Sequence, residues 1–366
     1  MTKDSRSLVI VMYTLISTGV VMIYSASAVF AEQHFHQATY FLWRQLLAVS
    51  IGTFIFFVCY SLQPDFLKRH SRSFLGLAVL LLILVFVPVV GYSAGGARRW
   101  IRLPFLTFQP VEYAKFALCV YLADYLSRKR KTIVAGSLRV FVPPFILLLA
   151  MSALIVAQPD LGSCAFLLLI SGILFFLSGI RLRYIVVVSL GAVAMLVGLI
   201  VIAPYRMSRI VAYLDPWKDP QGSGFQIIQS FLAFGLGGVK GVGLGQSTQK
   251  LFYLPQAHTD FIFSIISEEL GLIGAVFVLA LYALFFFLGN RVARRCQDPF
   301  SRLLSYSLVL LVTLQALMNL LVTTGLIPTK GLPLPFISYG GTALIFHMAS
   351  VGLLVAIDRT ATRYAW

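Results

Sequence analysis

Runs of about twenty consecutive apolar residues, recurring along the whole chain, constrain its fold more than any other feature. A helix needs about 20 such residues to cross the hydrocarbon of a bilayer. In that medium each backbone polar group must be satisfied within the segment, so helices are the natural spanning element. Ten segments qualify, at roughly 8–30, 43–61, 74–91, 110–126, 141–157, 161–179, 184–203, 260–288, 303–326 and 340–357. Those at 110–126, 141–157 and 161–179 are short and rest on their flanking signals. Of 366 residues, 59% are hydrophobic and only 11% charged, whereas a soluble domain carries about a quarter charged. The expectation is a single all-α integral membrane domain over residues 1–366 with about ten transmembrane helices.

Charge orients these spans. With the N-terminus inside, most Lys and Arg fall in cytoplasmic segments, among them Lys68, Arg69 and Arg72, the run Arg128 to Lys131, and Arg291, Arg294 and Arg295. That is the positive-inside pattern, and ten spans return the C-terminus inside as well. The net charge of +16 is therefore an orientation signal. No basic domain is present to form a nucleic-acid groove. Lys3 and Arg6 precede the first apolar run and Ala26-Ser27-Ala28 imitates a cleavage site. The run from Leu8 to Phe30 nevertheless exceeds the roughly 7–15 residues of a signal core and reads as the first span. Cys59, Cys119, Cys164 and Cys296 suggest no structural disulfide.

The exceptions to the charge rule carry information. Arg98, Arg99 and Arg102 lie outside, in Gly95-Gly96-Ala97-Arg98-Arg99-Trp100-Ile101-Arg102. They suit a phosphate or diphosphate, which guanidinium groups bind bidentately, or lipid headgroups beside a tryptophan anchor. The connection between spans 7 and 8, about 204–259, is far longer than the others, and long loops are often functional. In it, residues 223–237 read as an amphipathic helix at, or re-entering, the outer interface. The glycine-rich stretch Gly237 to Gly245 has no preceding strand, so it is no dinucleotide fingerprint. It either presents N–H groups to an anion or packs as a tight turn.

Carboxylates in spans are costly, and only 13 Asp and Glu occur in the chain, so each is a candidate. Asp260 opens the eighth span, with Ser264, Ser267 and Gly271 continuing its helical face. It suits a general base or a helix cap. Glu268 and Glu269 lie two turns deeper and fit structural hydrogen bonds or a proton relay. Glu112 and Lys115 can pair at i, i+3, or Lys115 can face a phosphate. Asp160 reads as the cap of the sixth span. His258 has no second His or Cys at metal spacing, so no metal site is expected.

Several of these segments together resemble one family. Leu254-Pro255-Gln256-Ala257-His258-Thr259-Asp260-Phe261-Ile262-Phe263 followed by Glu268-Glu269-Leu270-Gly271 is similar to a signature of the SEDS proteins (shape, elongation, division and sporulation). So are Gly96-Ala97-Arg98-Arg99-Trp100-Ile101, Glu112-Tyr113-Ala114-Lys115, Gln158-Pro159-Asp160-Leu161-Gly162 and Leu334-Pro335-Phe336-Ile337-Ser338-Tyr339-Gly340-Gly341. The likeness spans the chain in order and is nearer the division branch than the elongation branch. Gln256 stands where the family usually has Glu, and Thr342-Ala343 where Ser-Ser is common.

The resemblance implies a peptidoglycan glycosyltransferase that polymerises lipid II on the outer face of the bacterial inner membrane, at the division site. Its implied partners are lipid II and the nascent glycan, a class B penicillin-binding transpeptidase, and other divisome membrane proteins. Asp260 is implied as the base. Arg98, Arg99, Arg102, Lys115, Lys250 and Lys330 are the candidate diphosphate ligands. Glu112, Asp160, His258, Glu268 and Glu269 are structural or relay candidates. No cofactor is evident, although a divalent cation (Mg²⁺ or Mn²⁺) could assist with the diphosphate. A lipid II flippase, relying on Glu268, Glu269 and Lys115, and a non-catalytic divisome scaffold are the alternatives.

Overall fold

The computed structural model describes residues 1–94, 97–102, 107–201, 204–250, 254–255 and 257–363. The helices in chain order are α1 (Lys3–Phe35), α2 (Tyr40–Ser61), α3 (Pro64–Leu84), α4 (Pro110–Arg128), α5 (Arg130–Val134), α6 (Val142–Ala157), α7 (Leu161–Leu177), α8 (Leu182–Val201), α9 (Pro204–Leu214), α10 (Phe225–Gly237), α11 (Ile262–Arg295), α12 (Pro299–Thr323) and α13 (Gly341–Arg363). The chain is an all-α membrane protein. A helix lies over each of the ten expected spans. Among the described residues, six segments are long and apolar enough to cross a membrane: α1, α2, Arg139–Ala157, α11, α12 and Gly341–Thr362.

Local sequence sets many of the boundaries. Proline opens α3, α4 and α12, where its missing N–H costs nothing. Asp160 caps α7 by accepting from the Ser163 N–H at 3.0 Å, and Asp298 caps α12 by accepting from the Ser301 N–H at 2.9 Å. The third span departs from expectation. It was placed at 74–91, but α3 starts ten residues earlier at Pro64, so Lys68, Arg69 and Arg72 ride on its first turns. It stops before Pro88, which cannot continue a helix.

A small antiparallel sheet follows α3, in the order β1 (Gly91–Ala94), β2 (Ala97–Arg102), β3 (Thr107–Phe108). The apolar-run reading did not foresee it. β1 pairs with β2 from Gly91↔Ile101 to Ala94↔Ala97, and β2 pairs with β3 at Ile101↔Phe108 and Arg102↔Thr107. The sheet holds Arg99 beside the start of α4.

Two hydrophobic clusters fill the bundle. One joins α1, α2, α11 and α13, and the other joins α3, α4, α6, α7 and α12. α2 and α13 approach closely because Gly52 and Gly352 lie at their contact. A Cβ on Gly52 would come within 2.5 Å of Met348 Sδ, and one on Gly352 within 2.5 Å of the Phe56 carbonyl. Small residues permit such approach where lipid supplies no hydrophobic drive between helices.

The expected helix at 223–237 is α10. Its buried residues include Ile227, Ile228, Ser230 and Ala233, while Phe231, Leu232 and Leu236 are exposed. Ser230 Oγ lies 2.6 Å from Ser264 Oγ and donates to the Thr323 carbonyl at 2.7 Å. α10 thus packs against α11 and α12, with apolar side chains outward.

The glycine stretch packs as a tight turn. The N–H groups of Val242 and Gly243 donate to the carbonyls of Glu268 and Glu269 at 3.0 Å, and the Leu272 N–H donates back to Gly238 at 2.9 Å. These bonds flank Gly271, where α11 breaks at φ 66° and ψ −163°. Only glycine adopts that conformation readily.

Candidate active site

The candidate cavity forms where three connections meet at the end of the bundle assigned to the outer side. These are the β2 strand, the turn before α11, and the segment between α12 and α13. Asp260 sits in that turn. Phe261, not Asp260, holds the cap position of α11, so the carboxylate is not spent on capping. Asn319, buried on α12, fixes the turn by donating Nδ2 to the Asp260 carbonyl at 2.8 Å and to the Leu332 carbonyl at 2.7 Å. Ser338 Oγ donates to the Thr259 carbonyl at 2.5 Å, and the Tyr339 N–H donates to the His258 carbonyl at 3.0 Å. Phe336, in the same motif, has φ 68°, a strained value for a non-glycine residue. Tyr282 donates its hydroxyl to the adjoining Pro335 carbonyl.

Asp260 opens into a cavity of about 490 Å³, lined also by Arg99, Trp100, Gln109, Arg209, Gln226, Lys330, Tyr339 and Thr342. That size suits a ligand-binding cleft. Burial raises the Asp260 carboxyl from 3.8 to about 7; Asp160 pushes the same way, while Arg99 and Arg209 pull against it. A carboxyl shifted toward neutrality lies in the range in which a general base works best. Burial also holds Lys330 below its ordinary value.

Of the predicted residues, the structure brings Asp260, Arg99, Lys330 and Asp160 together. Asp160 faces the adjoining space with Arg99, Arg209 and Lys330. Arg99 Nε donates to the Gln158 carbonyl at 3.0 Å, and its Nη2 donates to that of Pro159. Thr342 links cavity and sheet by accepting from the Gln109 N–H at 3.1 Å and donating to the Thr107 carbonyl at 3.0 Å.

Other predicted residues lie elsewhere. Arg98 and Arg102 are exposed; Arg98 reaches the Phe86 carbonyl at 3.5 Å, and Arg102 stacks over Tyr92 at 4.4 Å. Lys115 is fully buried, paired with Glu112 at 2.7 Å and bonded to Gln315 Oε1 at 3.0 Å. Gln315 in turn donates to the Pro333 carbonyl at 3.0 Å, so the pair supports the Lys330 segment from below. Lys250 is taken by Glu269 at 3.2 Å. Glu269 also accepts from Ser25 at 2.6 Å. Glu268 accepts from Ser247 and from the Thr248 N–H at 2.8 Å. These groups staple the outer loop to α1 and α11.

His258 stacks among Phe41, at 4.5 Å, and Tyr339, at 5.9 Å, and burial lowers it from 6.5 to about 4. It is a neutral packing residue. Gln256, Gly95 and Gly96 lie outside the described residues. Arg209 was not among the predicted ligands. Its signal was the same one that marked Arg99, a basic residue on the outer side against the charge bias.

With this geometry in hand, comparison with known proteins places the chain. Residues 5–363 match the family described as "Cell cycle protein", FtsW/RodA/SpoVE. The chain belongs to that family. This is the SEDS family whose motifs line the cavity. Among SEDS relatives, the chain is 45% identical to the "Probable peptidoglycan glycosyltransferase FtsW" of Geobacter sulfurreducens, over 93% of this chain and 91% of that one. It is 40% identical to "Stage V sporulation protein E" of Bacillus subtilis, over 98% of each chain. A solved structure described as "Structural coordination of polymerization and crosslinking by a peptidoglycan synthase complex" superposes with a TM-score of 0.80 at 32% identity, over 97% of each chain. The rod shape determining protein RodA of Thermus thermophilus superposes with a TM-score of 0.70 at 28% identity, over 96% of each.

Proposed function

We propose that this chain is a peptidoglycan glycosyltransferase that polymerises lipid II at the outer face of the bacterial inner membrane, in septal wall synthesis. The observation that carries this reading is the Asp260 carboxylate in a cavity of about 490 Å³ walled by Arg99, Arg209 and Lys330. A glycosyl transfer that expels a diphosphate needs that combination. Asp260 takes the proton of the acceptor sugar hydroxyl, and the hydroxyl oxygen bonds to the donor's anomeric carbon. The bond from that carbon to the diphosphate oxygen breaks, and polyprenyl diphosphate leaves with the electron pair. The three cations stabilise the charge growing on the leaving oxygen.

Both lipid tails stay in the bilayer throughout. The outward apolar face of α10 and the helices around it suit that lateral approach. The curated FtsW relatives carry the glycosyltransferase name, and the synthase-complex structure is consistent with a class B transpeptidase partner. Among the described residues no three of His, Cys, Asp and Glu come together as a metal site. The flippase reading needs mobile deep charges, yet Lys115, Glu268 and Glu269 are each held in bonds.

The test is polymerisation of labelled lipid II by purified protein with its transpeptidase partner. A general base contributes about 10²–10⁴-fold, so Asp260→Ala should leave almost no glycan. Normal chain growth by that variant would overturn the assignment.

A further inference from the structure

The cationic wall has two sides. Arg99, Arg209 and Lys330 line the cavity around Asp260, and they also line a second, smaller cavity of about 150 Å³ beside it. The far walls of the smaller cavity come from Pro159, Asp160 and Gly162 at the start of α7 and from Ile210 on α9. We propose that this smaller cavity is the diphosphate subsite for the polyprenyl donor, leaving the larger cavity to the reacting sugars. This rests on the glycosyltransferase reading and adds to it where the leaving group sits.

Three observations support the division. First, the cations converge on the partition between the spaces, so a diphosphate beside them lies next to the Asp260 cavity without filling it. Second, Ile210, Leu161, Pro159 and Pro328 give the smaller cavity an apolar rim, which suits the first carbons of a polyprenyl chain. Third, the one carboxylate present is already engaged. Asp160 accepts from the Ser163 N–H at 3.0 Å and from the Ser163 hydroxyl at 2.9 Å. It opposes an anion, but three cations outnumber it.

A consequence follows for the base. The charged groups around Asp260 are Asp160 from the α7 cap, Arg99 from β2, Arg209 from α9 and Lys330 from the α12–α13 segment, with the neutral His258 and Tyr339 beside them. A diphosphate engaging Arg99 and Arg209 adds negative charge where those residues otherwise draw the Asp260 proton off. The carboxylate of the loaded enzyme is therefore the stronger base. Departure of the product restores the pull of the arginines and releases the proton.

The experiment measures binding of farnesyl diphosphate to the purified full chain in nanodiscs, separately from polymerisation. Gly162→Val and Ile210→Trp fill the smaller cavity from opposite walls. A Cβ at Gly162 already meets Lys330 Cβ at 3.3 Å, so Gly162→Ala serves as the mild control and thermal unfolding confirms the fold. Expected is binding to wild type, tighter than farnesyl monophosphate, with a loss of about tenfold or more in both filling variants. In the wild type, the acid limb of kcat should lie at higher pH than that of kcat/KM, since the first reports the loaded enzyme and the second the free one. Unchanged affinity in both filling variants, or displacement of the probe by phosphatidylglycerol as readily as by farnesyl diphosphate, would overturn the subsite. Binding lost in the variants while wild type fails to polymerise lipid II would instead overturn the proposed function and leave the subsite standing.

Discussion

Replacing Asp260 with Asn should abolish polymerisation and yet stabilise the protein, by an amount that grows with pH. Folding raises this carboxyl from 3.8 to about 7, chiefly by burial. Between those values the folded chain keeps a proton that the unfolded chain has shed. Stability therefore falls as pH rises through that window and levels off above it. At about 1.4 kcal/mol per pKa unit, the ceiling on the penalty is about 4 kcal/mol. The side chain is only half-buried at an open cavity, and water there screens it, so about 1–2 kcal/mol is the expected effect. Asn keeps the shape and removes the charge. Thermal unfolding in nanodiscs, followed by intrinsic fluorescence, should show Asp260→Asn melting a few degrees above wild type at pH 8, and about a third as far above at pH 5. An equal difference at both pH values, or a variant less stable at pH 8, would refute the claim that burial of a reluctant charge sets this site. Active sites held at a cost in stability commonly behave in this way.

Arg209→Gln removes one of the two cations that oppose protonation of Asp260, so the midpoint of the polymerisation pH profile should move up by about half a unit, read from initial rates between pH 5.5 and 9. Arg99→Gln should lower lipid II polymerisation by about tenfold or more, while Arg98→Gln, whose side chain points away from the cavity, should stay within about twofold. Lys250→Met leaves Glu269 unpaired in the interior and should destabilise by about 3–5 kcal/mol in chemical unfolding, with much of the loss recovered in the Lys250→Met, Glu269→Gln double variant. Gly271→Ala puts a Cβ 2.4 Å from the Gly241 nitrogen at φ 66°, and should lower the melting temperature by several degrees through loss of the outer-loop staple.

Much of this protein was determined by its sequence alone. The all-α membrane class and a helix over each apolar run were legible because lipid imposes a length and a composition on what can cross it. Asp160 marked the start of α7 through local chemistry, and Asp260 was legible as a carboxylate at a membrane boundary, whereas the starts of α3 at Pro64 and α12 at Pro299 were not read from the apolar runs. The tertiary structure decided which charges meet. Arg98, Arg99 and Arg102 were equivalent as letters, but a short sheet delivers only Arg99 to the cavity. Lys115, Lys250 and Lys330 looked alike as outer or buried cations. Two are paired with Glu112 and Glu269, and of the three only Lys330 lines the Asp260 cavity. Arg209 joins them from a helix that begins more than fifty residues before Asp260. Charge carries no address along the chain, because its partner is set by distances across the fold, and those appear only once the connections have packed together.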